Sequence, residues 1–404
     1  MTAEVKKYGL NVQLAVLAVS LLLTSFNIIN GILPQIRDGL HVSNAAAELL
    51  STTPSLSALA TLLISPALAR FFGLKNVIGA AVLLVGVSGV VPMFVSDYTV
   101  ILVSRGVLGL GLGLYNSLAV TIIQVLWSGD TRSTLLGIRG AFENIGQMIL
   151  TALVGVLASS FGWQGSFSAY ILAFAALAWF WIVVPDVRLN DQEGDQSDDA
   201  NGDMFAEKSD VVILTLFVLF AAGYLVAMQS GFVRWAAVTQ EALGADFNTS
   251  TIMSIGVAAG IVSGFGFGAL NKFLGDMNTL YLGIFIEALG CFFLYFANGN
   301  YALLVASIIC FYLPGPILGP WLFNQLPKYA KKSQQAFWST AIMIGFHVGN
   351  FLAPIVMTAI EAVSGSKDLA VSFLPFGIAL LLIIVGVFAY THLNHAKSAD
   401  VAKA

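Results

Sequence analysis

Charge is what this sequence has least of. Asp, Glu, Lys and Arg together make up 10% of its 404 residues, where a soluble domain carries roughly 25%. With 58% of residues apolar, a soluble fold of this length would have no means of hiding them. Cysteine is scarce too. Cys291 and Cys310 are the two in the chain; both fall inside apolar runs, which excludes a disulfide framework and leaves them as small packing residues. No His-Glu-x-x-His pair, Gly-x-Ser-x-Gly elbow or Gly-x-x-x-x-Gly-Lys-Ser/Thr loop occurs, so nothing points to zinc-dependent or nucleophilic catalysis or to ATP. The expectation is a non-enzyme without cofactor, with no basic surface for nucleic acid.

What the sequence does have is long uncharged stretches. Residues 8–36, 49–69, 76–96, 211–233 and 333–360 are each long enough to cross a bilayer, which takes about 20 mostly apolar residues. Residues 144–185 and 288–327 each have room for two crossings, around the turns Gly162-Trp163-Gln164-Gly165 and Asn298-Gly299-Asn300. The first run exceeds the about 7–15 apolar residues of a secretory signal and no small-residue cleavage site follows it, so it reads as a retained span. The spans predicted are 11–32, 47–69, 74–95, 99–125, 134–159 and 165–185, then 211–232, 249–271, 277–297, 301–325, 336–360 and 370–391. The fold class expected is therefore an all-α membrane protein of twelve transmembrane helices in a lipid bilayer.

Basic residues orient these spans. Lys6, Lys7, Arg70, Lys75, Arg132, Arg188, Lys208, Lys272, Lys328, Lys331, Lys332, Lys397 and Lys403 fall on the side of the termini, against Arg37, Arg234 and Lys367 on the other. Lys and Arg concentrate in cytoplasmic loops, so both termini are placed in the cytoplasm of a cell whose inner membrane holds the chain. Residues 186–210 are rich in Asp and poor in apolar side chains. They read as an acidic cytoplasmic linker that cannot fold alone, and they lack the ligand spacing of a calcium loop. The linker divides the chain into halves, 1–185 and 211–404, of six spans each. The halves look duplicated: Ala67-Leu68-Ala69-Arg70-Phe71-Phe72-Gly73-Leu74-Lys75-Asn76 matches Ala269-Leu270-Asn271-Lys272-Phe273-Leu274-Gly275-Asp276-Met277-Asn278 in register. Parallel repeats with a midplane site between them are one known transporter plan.

On these residues the chain resembles the major facilitator superfamily over essentially its whole length. The Arg70/Gly73/Lys75 turn is similar to that family's loop between its second and third helices, but Ala69 and Asn271 stand where the family has Asp. Arg105-Gly106-Val107-Leu108-Gly109-Leu110-Gly111-Leu112-Gly113 resembles its fourth-helix pattern, and Gly162-Trp163 with Phe167 its turn after the fifth helix, without the Arg. The antiporters' Gly-Pro and Gly-Gly of the fifth helix are missing at Gly146-Gln147. The stretch from Gly31 to Pro54 carries a fainter resemblance to the cyanate and nitroimidazole transporter branch. The resemblance implies secondary active transport of a small organic solute by alternating access, proton-coupled. A multidrug efflux antiporter and a transporter-like sensor are the alternatives. Arg70, Gly73, Lys272 and Gly275 become candidate gating residues.

Polar groups inside the spans supply the site candidates. At 1.5 Å per residue, Arg105 lies about 12 Å in from the outer surface, and Arg139 about 10 Å and Glu143 about 16 Å in from the cytoplasmic side, which sets Arg105 and Glu143 at similar heights, with His347 near the midplane. Intramembrane charges face the interior or a cavity, so Arg105, Arg139, Glu143 and His347 are expected around a central site, with Glu143 a candidate proton carrier. The plainer alternative is an i,i+4 Arg139–Glu143 pair that only holds its helix in place. Asn27 and Asn30, one turn apart, offer amides to a solute, and Tyr224 and Gln229 do so from the other half. Glu287 reads as a residue bonding a neighbouring helix. Pro314, Pro316 and Pro320 predict a bent tenth span.

Overall fold

The computed structural model of the protein describes residues 8–186, 210–331 and 334–401. The acidic linker falls almost wholly on 187–209, outside the described residues. The helices are α1 (Leu10–Ser20), α2 (Leu33–Leu40), α3 (Asn44–Phe72), α4 (Leu74–Val90), α5 (Tyr98–Leu126), α6 (Gly129–Ser166) and α7 (Leu172–Val183). After the linker come α8 (Val211–Leu243), α9 (Thr249–Leu274), α10 (Asp276–Tyr295), α11 (Tyr301–Tyr312), α12 (Gly315–Tyr329), α13 (Gln335–Ser364) and α14 (Phe373–Val401). Among the described residues no strand occurs, as a chain in lipid requires: every backbone polar group must find its partner inside the segment.

Local chemistry sets the ends. Ser43, Asp97, Asp210, Asn248 and Asn300 each accept a first-turn N–H from the helix that follows, satisfying donors left over at a helix start. The two matching turns have the same build. Gly73 and Gly275 take φ of 85° and 80°, values open to glycine without strain. Asn76 then donates to the Phe72 carbonyl and Asn278 to the Leu274 carbonyl, both at 2.9 Å.

Eleven helical stretches among the described residues are long and apolar enough to cross a membrane. Twelve were expected, and the difference lies in 134–183, one stretch of 50 residues. Its backbone leaves the helical region at Gly162, at φ 73° and ψ 175°. A second departure is in the first span, expected as one helix over 11–32. The structure stops α1 at Ser20 and continues through 3₁₀ turns at Ser25–Asn27 and Asn30–Ile32 before α2 begins. The tenth span breaks as its prolines predict, between Tyr312 and Gly315.

Glycines set the packing of α5. A Cβ at Gly109 would strike the Pro54 backbone and Ser57 of α3, one at Gly113 would strike Ala58 and Thr61, and one at Gly111 the Ala81 carbonyl of α4. The helices come this close because those side chains are absent, and Thr61 bonds the Leu110 carbonyl across the contact at 2.8 Å. In the second part of the chain, Gly345 and Gly349 let α13 press on Val218 and Ala222 of α8 in the same manner. The parts before and after the linker meet through α3 with α13 and α6 with α9.

Candidate functional site

A cavity sits among the break after α1, α3, α5 and α13, lined by Leu23, Phe26, Pro54, Ser55, Ala58, Leu62, Leu112, Gly113, Asn116 and His347. His347 is twelve residues into α13, about 18 Å from its start, and its ring meets the Ser55 backbone. A second space lies between α6 and α9 and is lined by Gly140, Ala141, Asn144, Ile261, Gly264 and Phe265. Both are near the middle of the bundle, about halfway along α13 and α6.

Charge reaches the first cavity through Asn116. Arg139 donates to the Asn116 side-chain oxygen at 3.1 Å and to its carbonyl at 3.4 Å. The same nitrogen, Arg139 Nη2, lies 2.7 Å from Glu143 Oε1, close enough for an ion pair though not aligned as a hydrogen bond. The i,i+4 spacing of α6 makes this neighbourhood, and the Thr24 hydroxyl donates to the Glu143 carbonyl from the break in the first span. Arg139, Glu143, Asn116 and His347 thus come to one region, polar and mostly enclosed. It offers a cation, an anion, an amide and an imidazole.

Arg105 is elsewhere. It is fully buried and stands behind the cavity wall. Its Nε donates to the Leu50 carbonyl at 2.8 Å, Nη1 to the Tyr170 hydroxyl at 2.8 Å and Nη2 to the Phe26 carbonyl at 2.6 Å. Pro54 has no N–H for the Leu50 carbonyl four residues back, so the helix offers Arg105 an open acceptor. Tyr170 in turn donates to the Ser25 carbonyl at 2.6 Å. Arg105 and Tyr170 therefore satisfy the carbonyls that the break at 21–32 frees. Asn30 is buried as well: it donates to Asn27 at 3.5 Å and accepts from Ser51, tying the break to α3. Tyr224 and Gln229 are buried off the cavity; the Tyr224 hydroxyl donates to Met228 sulfur at 3.0 Å. Arg70 and Lys272 are exposed beside their glycine turns. Asn271 donates to Asp276 at 2.9 Å, and Asp276 pairs with Lys328 of α12.

The sequence reading missed an ion cluster at the face opposite the linker. Arg234 of α8 pairs through Nε and Nη2 with both oxygens of Glu48 on α3, and through Nη1 with Glu361 on α13 and the Leu369 carbonyl. Arg234 is fully buried and Glu48 nearly so, while the Glu361 side chain keeps 27% exposure. Sequence reading ended the seventh span at 232 and placed Arg234 outside. The signal was present: 211–240 carries no other charge, and α8 continues to Leu243. Beside this cluster Thr249 donates to the Gly31 carbonyl, and Gly155 leaves room for Ser250. The opposite face is thus closed by contacts between the two parts of the chain.

An all-helical bundle with apolar spans, an internal polar cavity and one sealed face defines a polytopic membrane protein of the solute-carrier kind. The model of the Major Facilitator Superfamily matches residues 15–354, and the chain belongs to that family of membrane transporters, which are not enzymes. It is 25% identical to the probable nitrate transporter NarT of Staphylococcus haemolyticus, covering 98% of this chain and 99% of that one. Its fold is similar to the nucleoside transporter NupG, with a TM-score of 0.76 at 14% identity over 94% of this chain and 98% of that one. The inward-open xylose transporter XylE from E. coli gives 0.74 at 15% identity over 93% and 95%.

Proposed function

We propose that the protein is a secondary active transporter that moves a small organic solute by alternating access, coupled to protons. Its plan is twelve crossings in two six-helix repeats, a monomer in the inner membrane with both termini cytoplasmic. Three features support that plan. A straight helix of 50 residues would run about 75 Å, over twice the roughly 30 Å hydrocarbon core, so the Gly162 break divides 134–183 into a fifth and a sixth crossing. The turns at Gly73 and Gly275 share a conformation and an Asn hydrogen bond. The contacts of α3 with α13 and α6 with α9 pair the second crossing with the eleventh and the fifth with the eighth, and exchanging the repeats maps each pair onto the other.

The observation that carries the mechanism is the closed face. Glu48, Arg234 and Glu361 join both halves there, while the spaces lined by His347 and Asn144 are about halfway along α13 and α6, on the linker-face side of that cluster. With that face assigned to the cytoplasm by the basic residues, this is an inward-facing arrangement. Rocking the halves would part the cluster and expose the same site outward.

The name of the relatives makes nitrate a candidate, but Arg105, Arg139 and Arg234 are each engaged by carbonyl or carboxylate oxygens. A bare anion would have to displace one of these. A zwitterionic or polar organic solute can use the Arg139–Glu143 pair, Asn116 and His347 without leaving a charge unmatched. A thermal-shift screen of purified protein against amino acids, organic acids, nucleosides, sugars, dyes and nitrate tests this. Stabilisation by an organic solute, lost in Asn116→Ala, is the expected result; stabilisation by nitrate alone overturns the solute class.

A further inference from the structure

Glu48, Glu143 and Glu361 each face an arginine. Glu287 faces none. It is fully buried in α10, eleven residues from the helix start and so about 17 Å deep, and both its carboxyl oxygens lack a hydrogen-bond partner. The titratable groups around it are Tyr224 from α8, Cys291 one turn along α10 and Cys310 from α11. Of the basic residues on the other packed helices, Lys272 of α9 is exposed at the helix end and Lys328 of α12 is held by Asp276; the described side chains of α14, through Thr391, carry no charge.

A buried carboxylate with no partner is too costly to persist, so an external cation must balance it. Hard metal cations need about six oxygen ligands. This pocket offers the two carboxyl oxygens, two thiols and a phenol already turned to Met228, and no metal-holding group of three ligands is found among the described residues. A proton needs one oxygen. The pocket also touches the bend: a Cβ at Gly315 would lie 3.5 Å from the Met228 sulfur and 3.8 Å from the Tyr224 hydroxyl. Pro314 lacks the N–H that would have bonded the Cys310 carbonyl, leaving an acceptor suited to an acid O–H as the bend moves.

We propose that Glu287 is a proton-binding site of the transport cycle, set in the wall of the second half outside the cavity, and that its proton is exchanged as the bend between α11 and α12 moves. This rests on the reading of the protein as a proton-coupled transporter. Two readouts that need no substrate test it. Protein in nanodiscs at neutral pH should show a deuterium-sensitive carboxylic acid C=O stretch that Glu287→Gln removes and Glu143→Gln leaves in place. Absence of the band, or its survival in Glu287→Gln, overturns the site. For the cycle, Ser55→Cys serves as a cavity reporter, labelled by a maleimide and normalised to the unfolded protein at each pH. Its labelling rate should change severalfold with pH in the reporter protein and lose that dependence when Glu287→Gln or Glu287→Met is added. A rate that ignores pH, or a dependence that survives both substitutions, overturns the coupling. Either Glu287 variant that remains monodisperse suffices, and a failed solute screen alongside a positive result here would locate the error in the solute class.

Discussion

Among the described residues two arginines lie fully buried, and they are held in opposite ways. Arg105 has three acceptors, all neutral and all within residues 8–186. Arg234 has two carboxylates, one from each side of the linker. The first guanidinium is solvated by carbonyl dipoles that a proline and a helix break have released, and nothing in a rocking motion would change that. The second lies where the parts of the chain before and after the linker meet, so parting them would separate opposite charges or admit water. Burial of a cation in a span therefore does not by itself mark a substrate site; what matters is whether its partners move with it.

Substitutions can break the comparison, and the largest effect is expected at the static member. Arg105→Met removes three charge-assisted hydrogen bonds, each worth about 1.5–3 kcal/mol, and leaves the Leu50 and Phe26 carbonyls without a donor. Yield and melting temperature should fall sharply, and Arg105→Lys should recover little, because one ammonium cannot reproduce the planar fork. Arg234→Met leaves two carboxylates facing each other, a loss on the order of 3–5 kcal/mol if the cluster stayed shut. Part of that should be relieved by opening, so its melting point should drop less than that of Arg105→Met. Tyr170→Phe sharpens the static side: it deletes an acceptor of Arg105 and the donor to Ser25, and should cost about 1–3 kcal/mol by chemical or thermal unfolding, with no change in sidedness. Tyr312→Phe is the mildest. It loses the bond to Gln147 across α11 and α6 but keeps the ring stacked 4.3 Å from Phe232, so stability should change by about 1 kcal/mol or less in the same assay.

The membrane class, the matching turns, the glycine face of α5 and the bend at Pro314 could all be read from the sequence, because each depends on residues adjacent in the chain or at helical spacing. The Arg139–Glu143 pair was legible for the same reason. The break at 21–32 was not, since Pro34 marks only its far end and the groups that stabilise it, Arg105 and Tyr170, come from distant helices. Depth along a helix placed Arg105 level with Glu143 but could not say which neighbour it faced. The Glu48–Arg234–Glu361 cluster is hidden because the apolar runs end at 233 and 360, whereas α8 and α13 continue to Leu243 and Ser364, where one arginine is shared by the two carboxylates.

The distance between the halves at the face opposite the linker tests the account most directly. Spin labels on Thr99→Cys, at the start of α5, and on Ala245→Cys, in the loop after α8, are both exposed there, one on each half. Pulsed electron paramagnetic resonance in nanodiscs should give a short, narrow distribution for the otherwise native chain. Adding Arg234→Met should bring in a longer population, while Tyr170→Phe should leave the distribution as it was. If Arg234→Met leaves it unchanged, the cluster does not close that face and the gating assignment fails.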